Sequence, residues 1–212
     1  MDDPETPASP DGAGAARSAG RPRSSLVTET ILRTALALAQ SDGCEDLTVE
    51  KVAEQAGVAK TTLYRRWPNV WAIVLDAFLA DVLAVNEAWM TGTARESFTT
   101  ALKNHVRIFD ERRGPLLARI IARGHLDENL MEAVQARWIQ PIRKAARSVV
   151  RQGIASGELI DGLDPDLFLD MLFGPLYHRL LVTNNRETLT SAHIDALIDS
   201  VFRGVERRPA PP

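Results

Sequence analysis

The chain has a single cysteine, Cys44, among its 212 residues. An internal disulfide is therefore impossible, and a metal site built from cysteine ligands is not expected. The sequence also has no apolar run of the roughly 18 residues that a membrane span requires. Its start is acidic and Pro-rich, where a signal peptide would be basic and then apolar. These absences predict a soluble, cytoplasmic protein without a membrane partner.

The motifs of common enzyme classes are missing as well. The sequence holds no Gly-rich phosphate loop, no Gly-x-Ser-x-Gly elbow and no catalytic pair of carboxylates. Its four histidines, His105, His125, His178 and His193, are scattered, and no pair has the spacing of two metal ligands on one helix. We therefore predict no catalytic residue, metal or cofactor, and a small all-α enzyme is the weakest alternative.

Positive charge is scarce overall, since the formal net charge is −3. Such a protein does not coat nucleic acid by bulk charge, so any contact with DNA must use a local patch. Residues 1–20 combine early acidic residues with Pro, Gly, Ala and Ser, and they predict a disordered acidic tail. Basic residues then gather at 17–23 and at 60–66, and folding could bring these two clusters to one face.

What the sequence does contain is a succession of helical patterns without the alternation typical of strands. Gly43 and Pro68 mark the ends of the first and third helices, and Pro175 should kink or split the eighth near Gly174. The expected helix starts are Ser24 or Ser25, Thr48, Ala59, Asn69, Asp127, Asp164 and Thr190. The helices after the third are predicted at about 69–90, 94–112, 115–123, 127–156, 165–182 and 190–206. About nine helices and no sheet indicate an all-α fold.

The segment from Thr48 to Asn69 carries the clearest functional signal. Two short amphipathic helices are joined by a turn at Gly57, and the second helix is polar and basic, as suits the major groove of DNA. The residues of the pattern are Thr48, Val52-Ala53, Ala56-Gly57-Val58, Thr62-Leu63-Tyr64 and Arg66-Trp67-Pro68-Asn69. In this wording the segment closely resembles the DNA-binding domain of the TetR (tetracycline repressor) family, over roughly residues 21–75.

The resemblance implies an all-α protein with an N-terminal helix-turn-helix domain at 21–68 and a helical effector-binding and dimerisation domain at 69–208. It implies a sequence-specific transcriptional regulator that binds a palindromic double-stranded operator as a homodimer. Repression relieved by a small ligand is the expected mode of action. A helical scaffold for an acidic protein partner is the alternative from another class.

Groove chemistry distributes roles over the basic residues. Lys60 and Thr61, at the start of the recognition helix, are predicted to read bases, and Arg65 reaches a base or a phosphate. Arg21 and Arg23 either enter the adjacent minor groove or belong to the disordered tail. The predicted phosphate contacts are Thr48, Thr62, Tyr64 and Arg66.

The segment departs from the family pattern at three places. Ala59 replaces a capping Ser, a change that typically costs about 1 kcal/mol, so the recognition helix should be frayed until DNA binds. Val70 replaces a Lys that often touches phosphate. Arg66-Trp67 replaces His-Phe, which adds a permanent charge, while Trp67 itself is expected to pack. We therefore expect the phosphate contacts to be redistributed over other residues.

The resemblance further implies a small-molecule pocket among helices four to eight, with Arg123 or His105 as polar anchor. The candidate lining residues are Trp89, Phe98, His105, Phe109, Ile120, Trp138, Ile142, Phe173 and Tyr177. The apolar ones serve as readily in an ordinary core. Their character suggests a mainly apolar or aromatic effector, and the nearly all-apolar fourth helix is placed to carry its signal.

The last two helices are implied as the dimer interface. The sequence supports this with an apolar stripe along the last helix, although the same stripe could belong to the chain's own core. The predicted interface residues are Leu176, Leu180, Ile194, Leu197, Ile198, Val201, Phe202 and Val205.

Overall fold

A computed structural model describes residues 23–41, 46–85, 92–109 and 112–206 of the chain. Apart from one isolated bridge, all regular structure in these residues is helical, which confirms the all-α prediction. The predicted tail at 1–20, Arg21 and Trp89 lie outside the described residues. The α-helices are α1 (Arg23–Ser41), α2 (Val49–Ala56), α3 (Lys60–Tyr64), α4 (Val70–Val85), α5 (Ala94–Ile108), α6 (Arg113–Gly124), α7 (Glu128–Val134), α8 (Gln140–Ala155), α9 (Pro165–Tyr177) and α10 (Ser191–Val205).

Two helices contain a widened π-helical turn. The segment Gln135–Ile139 joins α7 to α8 without a break, and His178–Val182 continues α9. With α7 and α8 counted as one, the described residues form nine α-helical segments, as predicted, and one short 3-10 helix at Arg186–Thr188. Pro175 lies inside α9, and the helix continues past it, so of the predicted kink or split the split does not occur. The helical hydrogen-bond pattern changes only after α9, in the π turn that begins at His178.

Local capping explains where most helices begin. The first predicted start is wrong, because α1 begins at Arg23 and so includes both candidate serines. Likewise α6 begins at Arg113, and Pro115 sits in its first turn, where a missing N–H costs nothing. The other predicted polar caps are confirmed, since each side chain accepts a first-turn N–H at 2.9 to 3.2 Å: Thr48, Asn69, Asp127, Asp164 and Thr190.

Two hydrophobic clusters hold the helices together. The first runs without interruption from Ile31 in α1 through Phe78 in α4 to Trp138 in the π segment. The second joins α5, α8, α9 and α10 around Phe168 and Phe202. Helix α4 is buried on several sides, as its all-round apolar pattern predicted. Helices α1 to α3 and part of the C-terminal half therefore share one core through α4.

The expected dimer stripe lies mostly inside this chain's own core. Ile194 and Phe202 are completely buried in the second cluster, while Leu197 and Val201 are half-buried beside it. Side chains that are covered within one chain cannot cover a second copy, so the following are reassigned from the dimer interface to the core: Leu176, Leu180, Ile194, Ile198, Phe202 and Val205. A periodic apolar stripe shows that a helix face is covered, but it does not show by what.

Candidate DNA-reading surface and core cavities

The reading head is built from α2, a tight turn and α3. Gly57 closes α2 in the left-handed conformation, with a φ of 66°, which glycine adopts without the strain that a Cβ brings. Ala59 provides no side-chain cap for α3, as predicted. Leu63 is completely buried and anchors the short helix to the core. The turn and this one anchor fix how α3 faces outward.

The outer side of α3 is polar and exposed. Lys60, Thr61, Tyr64 and Arg65 are all exposed, and their spacing of one, three and four residues puts them on one side of the helix, opposite Leu63. This face combines two cations with two hydroxyl groups. It has the donors that phosphate oxygens and guanine edges require.

Two hydrogen bonds tie the flanks of α3 to the neighbouring helices. The Tyr64 hydroxyl donates to Glu50 Oε1 of α2 at 3.1 Å, and this bond raises the pKa of Tyr64. The Arg66 guanidinium donates to Thr28 Oγ1 of α1. Both side chains, predicted as phosphate contacts, thus already have a partner within the chain. Thr62 is half-buried, and Thr48 uses its hydroxyl as the cap of α2.

A third set of contacts connects the reading head to the rest of the protein. Trp67, just after α3, is buried as expected, and its Nε1 donates to Asp76 Oδ2 of α4 at 2.8 Å. The other oxygen, Asp76 Oδ1, accepts from Arg137 Nη1 at 2.5 Å. We call this set the Trp67–Asp76–Arg137 bridge. Sequence reasoning missed Asp76, although a lone carboxylate in the apolar stretch 70–79 was a usable signal.

Two small cavities lie where the two hydrophobic clusters meet. One, of about 40 Å³, touches Val82 of α4, and we call it the α4-side cavity. The other, of about 50 Å³, touches Leu169 of α9, and we call it the α9-side cavity. They share four walls: His105, Trp138, Ile142 and Phe173. Each is far below the roughly 300 Å³ at which ligand pockets begin, so neither has room for a typical small-molecule ligand.

His105 stands at the centre of an aromatic cluster between these cavities. Its ring meets the rings of Phe109, Phe173 and Tyr177 edge to face, with centroids 4.4, 5.6 and 5.5 Å apart. The Nε2 atom is buried and has no hydrogen-bond partner among the described residues. Burial lowers the pKa of His105 to about 4 and raises that of Tyr177. Both groups are therefore uncharged near neutral pH.

The structure places some predicted pocket residues elsewhere. Phe98 and Ile120 are completely buried in the two clusters and line neither cavity, and Arg123 is exposed on α6. Arg143, which sequence reasoning did not select, lines the α9-side cavity. The residues that the fold brings together as predicted are His105, Phe109, Trp138, Ile142, Phe173 and Tyr177.

Other kinds of site find no support in the described part of the chain. Over those residues, no three His, Cys, Asp or Glu side chains are grouped as metal ligands would be. None of the helices described combines the length and apolar character of a bilayer-spanning segment. A larger open groove, of about 640 Å³, lies between α1 and α4 and is lined by Leu32, Arg66 and Asp81, among others.

A helix-turn-helix head sharing a core with an all-helical C-terminal part defines a class of DNA-binding regulators. Comparison with known families agrees. Residues 31–75 match the family of bacterial regulatory proteins called tetR, and residues 90–201 match the tetracyclin repressor-like C-terminal domain. The chain belongs to the TetR family of transcriptional regulators, as the sequence resemblance indicated.

Individual relatives extend over most of the chain. It is 34% identical over 190 residues to YdeS, an HTH-type transcriptional regulator of Bacillus subtilis, which covers 88% of this chain and 93% of YdeS. It is 27% identical to the DNA-binding transcriptional repressor TetR of Mycobacteroides abscessus, over 81% of this chain and 90% of that protein. The solved TetR family regulator SCO0332 has a TM-score of 0.66 at 28% identity, over 87% and 99% of the two chains. The protein is thus a helix-turn-helix transcriptional regulator.

Proposed function

We propose that the protein is a cytoplasmic repressor, not an enzyme, that binds a palindromic operator as a homodimer and leaves it when a small, mainly apolar or aromatic effector binds. Residues 21–68 form its reading domain, and residues 69–208 bind the effector and the second copy. The observation that carries this proposal is the continuity between the core cavities and the reading head. Trp138 lines both cavities, and its neighbour Arg137 belongs to the Trp67–Asp76–Arg137 bridge.

The reading roles rest on the exposed face of α3. Lys60 and Thr61 read base edges, and Arg65 contacts a base or a phosphate. Arg21 and Arg23, before and at the start of α1, serve as a minor-groove arm. The phosphate contacts are Thr48, Thr62, Tyr64 and Arg66, with Tyr64 and Arg66 positioned by Glu50 and Thr28.

The dimer uses exposed faces of α9 and α10 in place of the buried stripe. On α9, Leu167 and Met171 are 57% and 37% exposed and stand one turn apart. On α10, small residues recur at every fourth position on an exposed side, which allows another helix to approach closely: Ala192, Ala196, Ser200 and Gly204. A two-fold pair would then present two α3 helices to half-sites roughly 34 Å apart, or a multiple of this distance.

Effector binding must enlarge the closed cavities. Because Trp138 forms part of both, an enlarged cavity displaces the π segment and strains the bond from Arg137 to Asp76. Asp76 lies on α4 and holds Trp67 directly behind α3. The two α3 helices would then no longer match both half-sites. A coupling of about 1 to 3 kcal/mol suffices for a 5- to 150-fold loss of operator affinity.

The decisive experiment is selection of bound fragments from the source genome, followed by gel-shift titration against competitor DNA. We expect one palindromic site, bound with strong salt dependence. The variant with Lys60→Ala and Thr61→Ala should keep weak binding to any DNA and lose its preference for the site. Arg123→Ala, which removes an exposed arginine of α6, is the matched control. An unchanged preference in the double variant would show that other residues read the bases.

A further inference from the structure

The closed cavities have chemical properties that restrict what can bind there. His105 Nε2 is buried without a hydrogen-bond partner among the described residues, and the same side chain lines both cavities. Buried polar atoms are nearly always hydrogen-bonded in native proteins, because an unpaired one has lost its hydrogen bonds to water without replacing them. A ligand that brings a hydrogen-bonding group to this atom would therefore gain more than one that does not.

The walls around His105 favour a flat aromatic ligand. Phe109, Phe173 and Tyr177 present ring edges and faces to it, and Trp138 meets Phe109 with centroids 5.8 Å apart. Aromatic rings pack favourably in such offset and edge-to-face arrangements. A flat ring that enters between these side chains can replace the contacts it displaces.

A charged ligand is disfavoured at these cavities. Arg143 lines the α9-side cavity, but its Nη1 and Nη2 atoms already donate to Asp170 and Asp166, each at 2.7 Å. Asp166 is shared with Arg147, which completes the network. Burial also keeps His105 neutral, since its pKa is lowered to about 4. A carboxylate or phosphate would lose its water here without gaining a free cation in return.

The two cavities are neighbours that share four lining side chains: His105, Trp138, Ile142 and Phe173. These side chains lie at the seam between the two hydrophobic clusters. A ligand larger than either cavity would therefore contact all four.

From these observations we infer that the effector is an uncharged aromatic molecule that inserts between the two cavities and places its hydrogen-bonding group on His105 Nε2. This inference deepens the proposed function and rests on it. The specificity of the site then comes from one polar contact within aromatic and aliphatic walls. A ligand whose charged group has to lie against His105 should bind weakly.

The test uses three probes of one size: 2-naphthol, naphthalene and 2-naphthoate, titrated into the full-length protein and followed by tryptophan fluorescence and calorimetry. Wild type should bind 2-naphthol on the order of tenfold more tightly than naphthalene, the worth of one hydrogen bond, and 2-naphthoate most weakly. His105→Phe should remove the preference for the hydroxyl, and His105→Gln should restore part of it. Tyr177→Phe, which deletes another polar atom in the same walls, should leave the preference intact.

Several results would overturn the inference. The first is tight binding of 2-naphthoate. The second is a hydroxyl preference that survives His105→Phe in a protein of native helix content, or that is lost in Tyr177→Phe alone. The third is the absence of binding by every probe up to its solubility limit. Operator binding without a probe is measured separately on the selected DNA fragment. A protein that does not bind the operator refutes the proposed function. A protein that binds the operator but ranks the three probes in another order of affinity refutes only the inference about the effector.

Discussion

Lowering the pH should destabilise the fold through His105, in a way that one substitution can isolate. In the unfolded chain this histidine takes up a proton near its ordinary pKa of 6.5, whereas burial in the aromatic cluster lowers the pKa to about 4 in the folded protein. Between these values the unfolded state binds more protons. The free energy of unfolding therefore falls as the pH falls. The contribution is fully present above the unfolded pKa and is lost as the pH approaches the folded one.

The magnitude follows from the two pKa values. The full shift corresponds to about 3 kcal/mol, and the part lost between about pH 7 and about pH 5 is roughly 2 kcal/mol. Such a loss is a large fraction of the total stability of a typical domain. Nearby carboxylates with lowered pKa values, such as Asp166, also titrate in acid, but they are common to wild type and variant. The difference between the stability losses of wild type and variant is therefore the contribution of His105.

The assay is urea unfolding at the two pH values and at one fixed protein concentration, since a dimer's stability depends on concentration. His105→Gln cannot take up a proton, so the loss of stability in acid should be roughly 2 kcal/mol smaller than in wild type. His125→Gln, which removes an exposed histidine, serves as the control and should behave as wild type. Equal losses in wild type and His105→Gln would mean that His105 is not a buried neutral group in solution.

Two further predictions concern coupling and assembly. Arg137→Gln removes a partly exposed ion pair worth at most about 1 kcal/mol, so operator affinity should change little while release by the effector weakens several-fold in gel-shift titrations. If the effector released this variant from the operator as readily as it releases wild type, the coupling would not pass through Asp76. Leu167→Glu should dissociate the dimer in sedimentation at micromolar concentration, whereas Leu126→Glu, at another exposed leucine, should not. A dimer that survives Leu167→Glu would place the interface elsewhere.

The reading head could be predicted closely because its determinants are local. The cap at Thr48, the turn at Gly57, the anchor Leu63 and the missing cap at Ala59 all act over a few residues, and all were found in place. The bonds of Tyr64 and Arg66 to other helices were not foreseen. They depend on how α1 and α2 pack against α3, which no short-range pattern encodes.

The C-terminal part was harder to predict because its determinants are long-range. Periodicity identified the apolar face of α10 correctly, but it could not show whether α5 or a second copy covers that face. The same limit applies to the cavity, where aromatic composition selected both Phe173, which lines it, and Phe98, which packs against Phe168 in the core. Apolar residues share one pattern whether they border a cavity or fill a core.

The π segment at 135–139 connects the core cavities to α4, because its Trp138 lines both cavities and also contacts that helix. Two of its residues contact α4: Arg137 donates a hydrogen bond to Asp76, and Trp138 meets Phe78 edge to face, with centroids 5.4 Å apart. Single π turns inside α-helices are rare and are found frequently at functional sites. Since Asp76 and Phe78 lie on the same helix, a ligand that displaces Trp138 must move α4 or break its contacts. Under the proposed mechanism, movement of α4 would pass through Asp76 to Trp67 and the DNA-reading surface. A coupling of about 1 to 3 kcal/mol is typical of allosteric proteins.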